Sequence, residues 1–567
     1  VLQMNKNEIK GAEAVMESLL KEDVNTIFGY PGGAIMPIYD AMYDYEDKVR
    51  HILVRHEQGA IHAAQGYARS SGKTGVCFAT SGPGATNLIT GLADAMIDST
   101  PVVCITGQVD SSLLGTDAFQ ETDVIGISMP VTKWNIQVTK PKDIGPAIAK
   151  AFYIASNGRP GPVLIDITKD AQFGEVNFSY EKCSSIRSYW PTPNVNLEDI
   201  DAAIDLISTA QKPYLLVGQG VILSQAEKEL VSFVEKSGIP VASTLLGLGA
   251  MPTDHSLYVG YLGMHGNYAP NVLTNDCDVL IAIGMRFDDR VTGDVKRYAK
   301  QAKVVHIDID KAELNKIVKA EVAINGDAKE VLKLLIDRVE EKSYPTWLNQ
   351  FHELERIENS KIADEARSPV SGNLRMSEVI HQLSEQTKGQ AIVVTDVGQH
   401  QMVTSRYYGY RGHRSNITSG GLGTMGFSLP AAIGAKLGSP EKTVVAVIGD
   451  GGFQMTIQEL GTILQSKVDV KILILNNNFL GMVRQWQQLF FDKRYASTEI
   501  QNPDFIKIAE GYGVKASKID QREQLNDAIK GLLKSEGTTL LEVLVEREEN
   551  VFPMIQTGAA VDEIRLS

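Results

Sequence analysis

The stretch 443-TVVAVIGDGGFQMTIQELGTILQSKVDVKILILNNNFLG-481 decides the fold. TVVAVIGD is a short apolar run rich in β-branched residues, which reads as a buried strand, and it delivers Asp450 at its end. A helical segment follows, and a second apolar strand, VKILILNN, delivers Asn477. One strand–helix–strand crossover therefore sets two oxygen ligands on neighbouring strand ends. A hard cation such as Mg²⁺ takes oxygen ligands in octahedral array and completes its shell with phosphate and water. Gly449 and Gly451 let the backbone approach a phosphate closely. Gly-Asp-Gly alone fits a helix cap. The asparagine at the next strand end turns the reading towards a metal-bound phosphate.

The same alternation extends outward in both directions. The runs VNTIFGY, TGVCFATS, PVVCITG and PVLIDIT occupy the first third, and YLLVGQG, PVASTLL, VLIAIGM and VVHIDID the middle. AIVVTD and TTLLEVLV flank the opening stretch. Helical patterns separate them, which predicts an α/β chain of three doubly wound parallel-sheet domains. The boundaries expected are residues 1–180, 196–340 and 374–550, with a tail over 551–567. The polar stretch Asp170 to Glu198, with Trp190-Pro191-Thr192-Pro193, reads as a linker, and the charged, helical 340–373 as a connector. No close repeat is visible, although the first and third units are candidates for structural relatives. Ligands bind such sheets beyond the carboxyl ends of strands. In the first unit Tyr30-Pro31-Gly32-Gly33, Ser81-Gly82-Pro83-Gly84 and Thr106-Gly107-Gln108 lie there.

A net charge of −14 over 567 residues argues against a nucleic-acid-binding surface. No apolar run approaches the ~20 residues that span a bilayer. No signal or transit segment is visible at the start, which sets the expectation of a cytoplasmic protein. The four cysteines include no CxxC pair. Cys77 and Cys104 lie in strand-like runs and read as buried free thiols, in keeping with a reducing compartment.

The Asp450–Asn477 motif resembles the thiamine-diphosphate-binding motif. That likeness assigns Mg²⁺ to Asp450, Asn477 and a backbone carbonyl near Phe479. It also gives a purpose to Glu57, in LVRHEQGA, where a strand over 49–54 meets a helix over 58–70. In this enzyme class a glutamate hydrogen-bonds a pyrimidine nitrogen of the cofactor and promotes its imino tautomer, which then removes the thiazolium proton. A carboxylate at a buried strand end suits that task, because low dielectric tunes its proton affinity. A first-turn glutamate is also a common solvated residue.

Over nearly its whole length the chain resembles the acetohydroxyacid synthase (acetolactate synthase) family. The supporting stretches are FGYPGGAIMPIYD, RHEQGA, SGPGATNL, GTDAFQE, GRPGPVLIDITKD, LGMHG, GMRFDDRVTG, VGQHQM, GGLGTMGFSLPAAIGA and LGMVRQWQ. The family decarboxylates pyruvate to hydroxyethyl-thiamine diphosphate. It joins that unit to a second pyruvate, giving 2-acetolactate, or to 2-oxobutyrate, giving 2-aceto-2-hydroxybutyrate, early in branched-chain amino-acid synthesis. By this resemblance Met425 supports the folded cofactor beside Gly423. Gly398, Gln399 and His400 face its diphosphate. Gly33, Ala34, Phe119, Gln120 and Lys169 form the active-site entrance, Gln120 and Lys169 as catalytic candidates, and Lys169 guides anionic 2-oxoacids. Trp486 favours 2-oxobutyrate as acceptor. One extra methylene rewards such a contact by only about 1–3 kcal/mol.

The middle unit resembles the family's FAD-binding domain. Arg159, Gly218, Gly220, His265, Arg286, Asp289, Arg290 and Asp308 fall in its matching motifs. Gly-Gln-Gly without a further downstream glycine is a weak dinucleotide signal by itself. The reaction has no net redox change, so the resemblance makes FAD structural or vestigial. It also implies a homodimer or homotetramer, with the cofactor between two chains, and leaves open a small regulatory subunit. Gln556-Thr557 and Asp110 depart from many relatives where family inhibitors bind. A flavin-dependent pyruvate oxidase and a non-oxidative 2-oxoacid decarboxylase share the three-domain plan and stand as alternatives.

Overall fold

The computed structural model describes residues 8–567. The absence of a targeting segment was read partly from residues 1–7, which lie outside that range. Among the described residues no helix is long and apolar enough to cross a membrane.

Three six-stranded sheets carry the chain, and every strand pair within them is parallel. The first runs Arg50–Leu53, Thr26–Gly29, Gly75–Ala79, Val102–Gln108, Pro162–Thr168, Trp134–Val138 across the sheet. The third runs Asn416–Thr418, Ile392–Thr395, Val444–Gly449, Lys471–Asn476, Thr539–Leu544, Lys515–Ile519. Numbered within each unit, both orders are 2-1-3-4-6-5, so these two units share a topology that their sequences do not advertise. The middle sheet runs Tyr258–Tyr261, Val241–Ser243, Pro213–Val217, Val279–Ile283, Lys303–Asp308, Val322–Asn325. Its order, 3-2-1-4-5-6, is that of dinucleotide-binding sheets. Helices cover both faces, and the central strands are buried on both, which is why they read as continuous apolar runs.

The first and third units pack directly on one another through the helices Glu57–Ser71 and Ser428–Gly438. The contact is backbone to backbone. A Cβ on Gly66 would stand 1.9 Å from the Ala431 carbonyl oxygen, and one on Gly434 1.8 Å from that of Ala63. Only glycine permits this approach.

Three stretches read as peripheral do more. Residues 170–198 hold the end of the helix Lys169–Phe173 and a strand, Glu175–Asn177, antiparallel to Glu8–Lys10. The connector is helical as expected, but it is no free spacer. Trp347 and Phe351 of the helix Pro345–Glu358 are buried in the middle unit's core, and the Trp347 indole donates to the Pro213 carbonyl at 2.9 Å. Its last residue, Glu358, is buried against Arg406 of the third unit and accepts the Tyr268 N–H at 2.6 Å. The tail likewise packs Ile555, Val561 and Ile564 into the middle unit. Apolar residues spaced through a polar segment mark a docked segment, and charge had masked them.

Candidate active site

The third sheet reverses direction between Ile392–Thr395 and Val444–Gly449. At such a switch point the loops part and leave a crevice at the carboxyl ends. Asp450 stands there, buried, as the first residue of the helix Asp450–Met455. Burial pushes its acid up to about 6. Asn477 follows the next strand in a turn built by its own asparagines. Asn476 Oδ1 accepts the Asn478 N–H at 2.9 Å, and Asn477 Oδ1 the Phe479 N–H at 3.1 Å. Asn478 adopts φ +56°, which asparagine tolerates better than most residues. Asp450, Asn477 and the Phe479 backbone thus meet at one rim.

His400 and Gly398 lie at the start of the helix Gln399–Tyr407, which follows the adjoining strand Ile392–Thr395. His400 Nε2 lies 2.5 Å from Asp396 Oδ1, while its Nδ1 points into the space left by the missing side chain of Gly449, 2.9 Å from where a Cβ would be. Asp396 Oδ2 also accepts the Gly426 N–H at 2.7 Å, so one carboxylate fixes both the histidine and the loop of Met425. The Met425 Cε lies 3.7 Å from a Cβ built on Gly451. The buried Gln399 amide donates to Gln485 Oε1 at 2.9 Å and to the Glu549 carbonyl at 2.8 Å, and accepts from Asn477 at 3.3 Å, so its side chain orients Asn477.

The first unit assembles a second rim. Glu57 is the first residue of its helix, one position earlier than the sequence suggested, because the His56 ring caps the Gln58 N–H at 3.1 Å. The carboxylate is buried, accepts from Asn87 Nδ2 at 2.9 Å, and lies 3.3 Å from a Cβ built on Gly84. Gly33 and Ala34 follow the neighbouring strand. Gly33 is exposed with nothing near its missing side chain, and Ala34 N–H donates to Thr80 Oγ1 at 3.3 Å. Gln120, at φ +61°, lays its backbone against Gly82, and Phe119 is 88% exposed. Lys169 begins the helix after Pro162–Thr168, half-buried. All the entrance candidates therefore share the carboxyl ends of one sheet.

The middle sheet reverses between Pro213–Val217 and Val279–Ile283, and a cavity of about 910 Å³ opens there. Arg159, Gly220, His265, Arg286, Asp289, Arg290 and Asp308 line it, with Gly398, Gly423 and Trp486 from the third unit. Gly218 does not line it. Its missing side chain makes room for the Gly284 carbonyl, 2.3 Å from a built Cβ. Burial holds His265 down at about 4, hence neutral, with Nδ1 3.2 Å from the Pro553 carbonyl of the tail. Burial pushes Asp308 up to about 6. Arg159 crosses from the first unit to Glu313 at 2.8 Å and Asp310 at 3.2 Å. Trp486 is half-buried beside Phe490, ring centroids 5.0 Å apart, and not a core aromatic.

Sequence reasoning passed over Asp396, Asn87 and Asn502. Asp396 ends the strand AIVVTD next to the noted VGQHQM loop, and its place at a strand end was the available signal. Asn502 Nδ2 reaches Asp450 Oδ2 at 2.7 Å from a distant loop, which no spacing announces.

Two structurally matched units, each with a strand-end rim of its own, joined by a dinucleotide-type sheet, define the thiamine-diphosphate enzyme class. Family models agree, in order along the chain. Residues 9–127 match the thiamine pyrophosphate enzyme N-terminal TPP binding domain, 200–335 the central domain, and 396–543 the C-terminal TPP binding domain. The acetolactate synthase large subunit of Corynebacterium glutamicum is 46% identical over 566 residues, covering 98% of this chain and 90% of the relative. The isozyme 2 large subunit of Escherichia coli K12 is 46% identical, covering 98% and 99%. The probable acetolactate synthase large subunit of Methanocaldococcus jannaschii is 45% identical, covering 98% and 95%. The chain belongs to the acetolactate synthase large-subunit family, thiamine-diphosphate-dependent carboligases.

Proposed function

We propose that the chain decarboxylates pyruvate and ligates the retained two-carbon unit to a second pyruvate or to 2-oxobutyrate, releasing 2-acetolactate or 2-aceto-2-hydroxybutyrate. The observation that carries the reading is the third-sheet switch point, which gathers Asp450, Asn477 and His400 at one rim. Thiamine diphosphate, when bound, supplies a nucleophilic thiazolium carbon. One carboxylate, one amide oxygen and one backbone carbonyl are the hard donors that Mg²⁺ prefers, and Asp450, Asn477 and Phe479 would hold it. The space over Gly449, with His400 Nδ1 pointing into it, suits a diphosphate oxygen. Glu57, dry and oriented by Asn87, would exchange a hydrogen bond with the pyrimidine. Phe119, Gln120 and Lys169 would admit the 2-oxoacid, and Trp486 would favour the larger acceptor.

The middle cavity fits FAD in its sheet order and its volume, with Gly220 in its wall. Glu57 does not line that cavity in its own chain, whereas Gly398, Gly423 and Trp486 do. A second copy would bring its Glu57 rim to this chain's Asp450 rim, so a homodimer at least is part of the reading. The relatives' designation as large subunits supports a smaller regulatory partner.

Product analysis tests it. Purified protein is given pyruvate, thiamine diphosphate, Mg²⁺ and FAD, with and without 2-oxobutyrate, while oxygen is followed. Both acetohydroxyacids with little oxygen use are expected. Acetate with hydrogen peroxide, or acetaldehyde alone, would replace the carboligase by an oxidase or a decarboxylase.

A further inference from the structure

Two buried carboxylates of the first unit have no part in the roles above. Asp94 sits on the helix Ile89–Ile97 and Asp98 just past its end, both sealed from solvent. Both are aimed across the unit boundary at residues 419–424 of the third unit. Asp98 Oδ2 accepts the Gly420 N–H at 2.8 Å and Asp98 Oδ1 the Gly421 N–H at 2.7 Å. Asp94 Oδ1 accepts the hydroxyls of Ser419 and of Thr424, the latter at 3.1 Å. Ser419 Oγ in turn accepts the Thr424 N–H at 2.8 Å, which closes the loop on itself. Arg69 donates to Asp98 at 2.8 Å and to the Thr418 carbonyl. One guanidinium therefore faces two carboxylates, and Asp94 Oδ2 has no partner. Burial and the neighbouring Asp98 charge push the Asp94 acid up to about 6. Such a cluster is costly to bury, so the contacts it makes must be ones the fold uses.

The loop it holds has little means of holding itself. Its sequence is SGGLGTM, with three glycines that resist no deformation. Ser419, Gly420, Gly421, Leu422 and Gly423 wall the large cavity, and the loop leads straight into Met425. The adjoining Ser99 accepts from Arg159 Nε at 2.9 Å, and Arg159 reaches the acids of the middle unit. The segment 94–99 thus reaches the third unit directly and the middle unit through Arg159, beside the cavity.

We propose that Asp94 and Asp98 are positioning residues, a carboxylate clamp from the first unit that fixes the loop 419–425 in the shape that walls the flavin cavity and presents Met425 to the thiamine site. The inference rests on reading that cavity as the FAD site. Asp98→Asn replaces one acceptor by an amide donor facing an N–H donor and leaves Arg69 with Asp94 as the carboxylate it faces. Ser419→Ala removes the loop's hydroxyl from Asp94 and touches nothing in the first unit.

The test strips flavin from wild type, Asp98→Asn and Ser419→Ala and titrates FAD back by flavin fluorescence. Thiamine diphosphate affinity is read from tryptophan fluorescence, and the melting temperature of each protein is recorded. Loss of a charge-assisted hydrogen bond predicts FAD affinity weakened about tenfold or more in Asp98→Asn, with a smaller loss in Ser419→Ala. Thiamine diphosphate affinity falls with it in both. Wild-type affinities for both cofactors in the variants would overturn the clamp, including where melting falls, since that is a merely structural role. If Asp98→Asn does not fold, Ser419→Ala decides. Wild type that binds no FAD would overturn the flavin reading instead, and thiamine diphosphate affinity alone would then decide the clamp.

Discussion

Asn502 Nδ2 stands within 2.7 Å of Asp450 Oδ2, 3.1 Å of Asn476 Oδ1 and 3.0 Å of Asn478 Oδ1. Its amide holds one carboxylate oxygen of Asp450, the residue that in the proposed function would bind the cation. Partners behind a metal ligand commonly govern affinity by about 10–100-fold. Asn502→Ala is therefore expected to raise the Mg²⁺ concentration for half-activation by about tenfold, with turnover recovered at high Mg²⁺; an unchanged Mg²⁺ titration would remove Asn502 from the site. Glu57→Gln keeps an acceptor for Asn87 but no carboxylate. It should bind thiamine diphosphate while proton exchange at the thiazolium carbon, followed by deuterium incorporation, slows by about a hundredfold or more. Full exchange would contradict the role. Asp450 and Asn477 stood out in the sequence because each follows an apolar strand, and Glu57 because it stands at a strand–helix junction. Asn87, Asn502 and Asp396 act through side chains of other residues, and a single sequence records no such pairing.

Elements differed in the same physical way. Within the three large sheets, the strands absent from the sequence reading are Trp134–Val138, Tyr258–Tyr261, Val322–Asn325, Asn416–Thr418 and Lys515–Ile519, and every one is an edge strand. An edge strand keeps polar residues and half-exposed positions, as KASKI does, and lacks the continuous apolar run that betrays a central one. The turn before the Glu57 helix is also held from outside. Glu459, buried in the third unit, accepts the Arg55 N–H at 3.2 Å and lies against Gly59. Burial pushes its acid from 4.5 up to about 7. A folded-state value raised above the unfolded one gives stability that is complete below pH 4.5 and lost as pH rises through 7. The loss by pH 8 is on the order of 3 kcal/mol. Glu459→Gln, neutral throughout, should gain on wild type in denaturant midpoint between pH 5 and pH 8. Parallel pH dependences for the two proteins would contradict this.

At the scale of the whole molecule, the three-domain plan followed from strand–helix alternation, and the kinship of the first and third units, a candidate from the sequence, became definite in their shared strand order. Within one chain a helix pair, Glu57–Ser71 against Ser428–Gly438, joins these units, together with the Asp94–Asp98 and Glu459 contacts. The exposed Phe119 and the open backbone at Gly33 belong to the Glu57 rim, which the proposed function pairs with a second copy. Closed two-fold assembly gives each of two sites one rim from either chain. The most direct measurement co-expresses Glu57→Gln and Asp450→Asn chains under different tags and purifies the mixed assembly through both. Each variant alone should be nearly inactive. The mixed dimer should recover up to about half the wild-type acetohydroxyacid formation, because one of its two sites then carries neither substitution. No recovery in a mixed assembly that forms and binds cofactor would contradict a site shared between Glu57 and Asp450 of different chains.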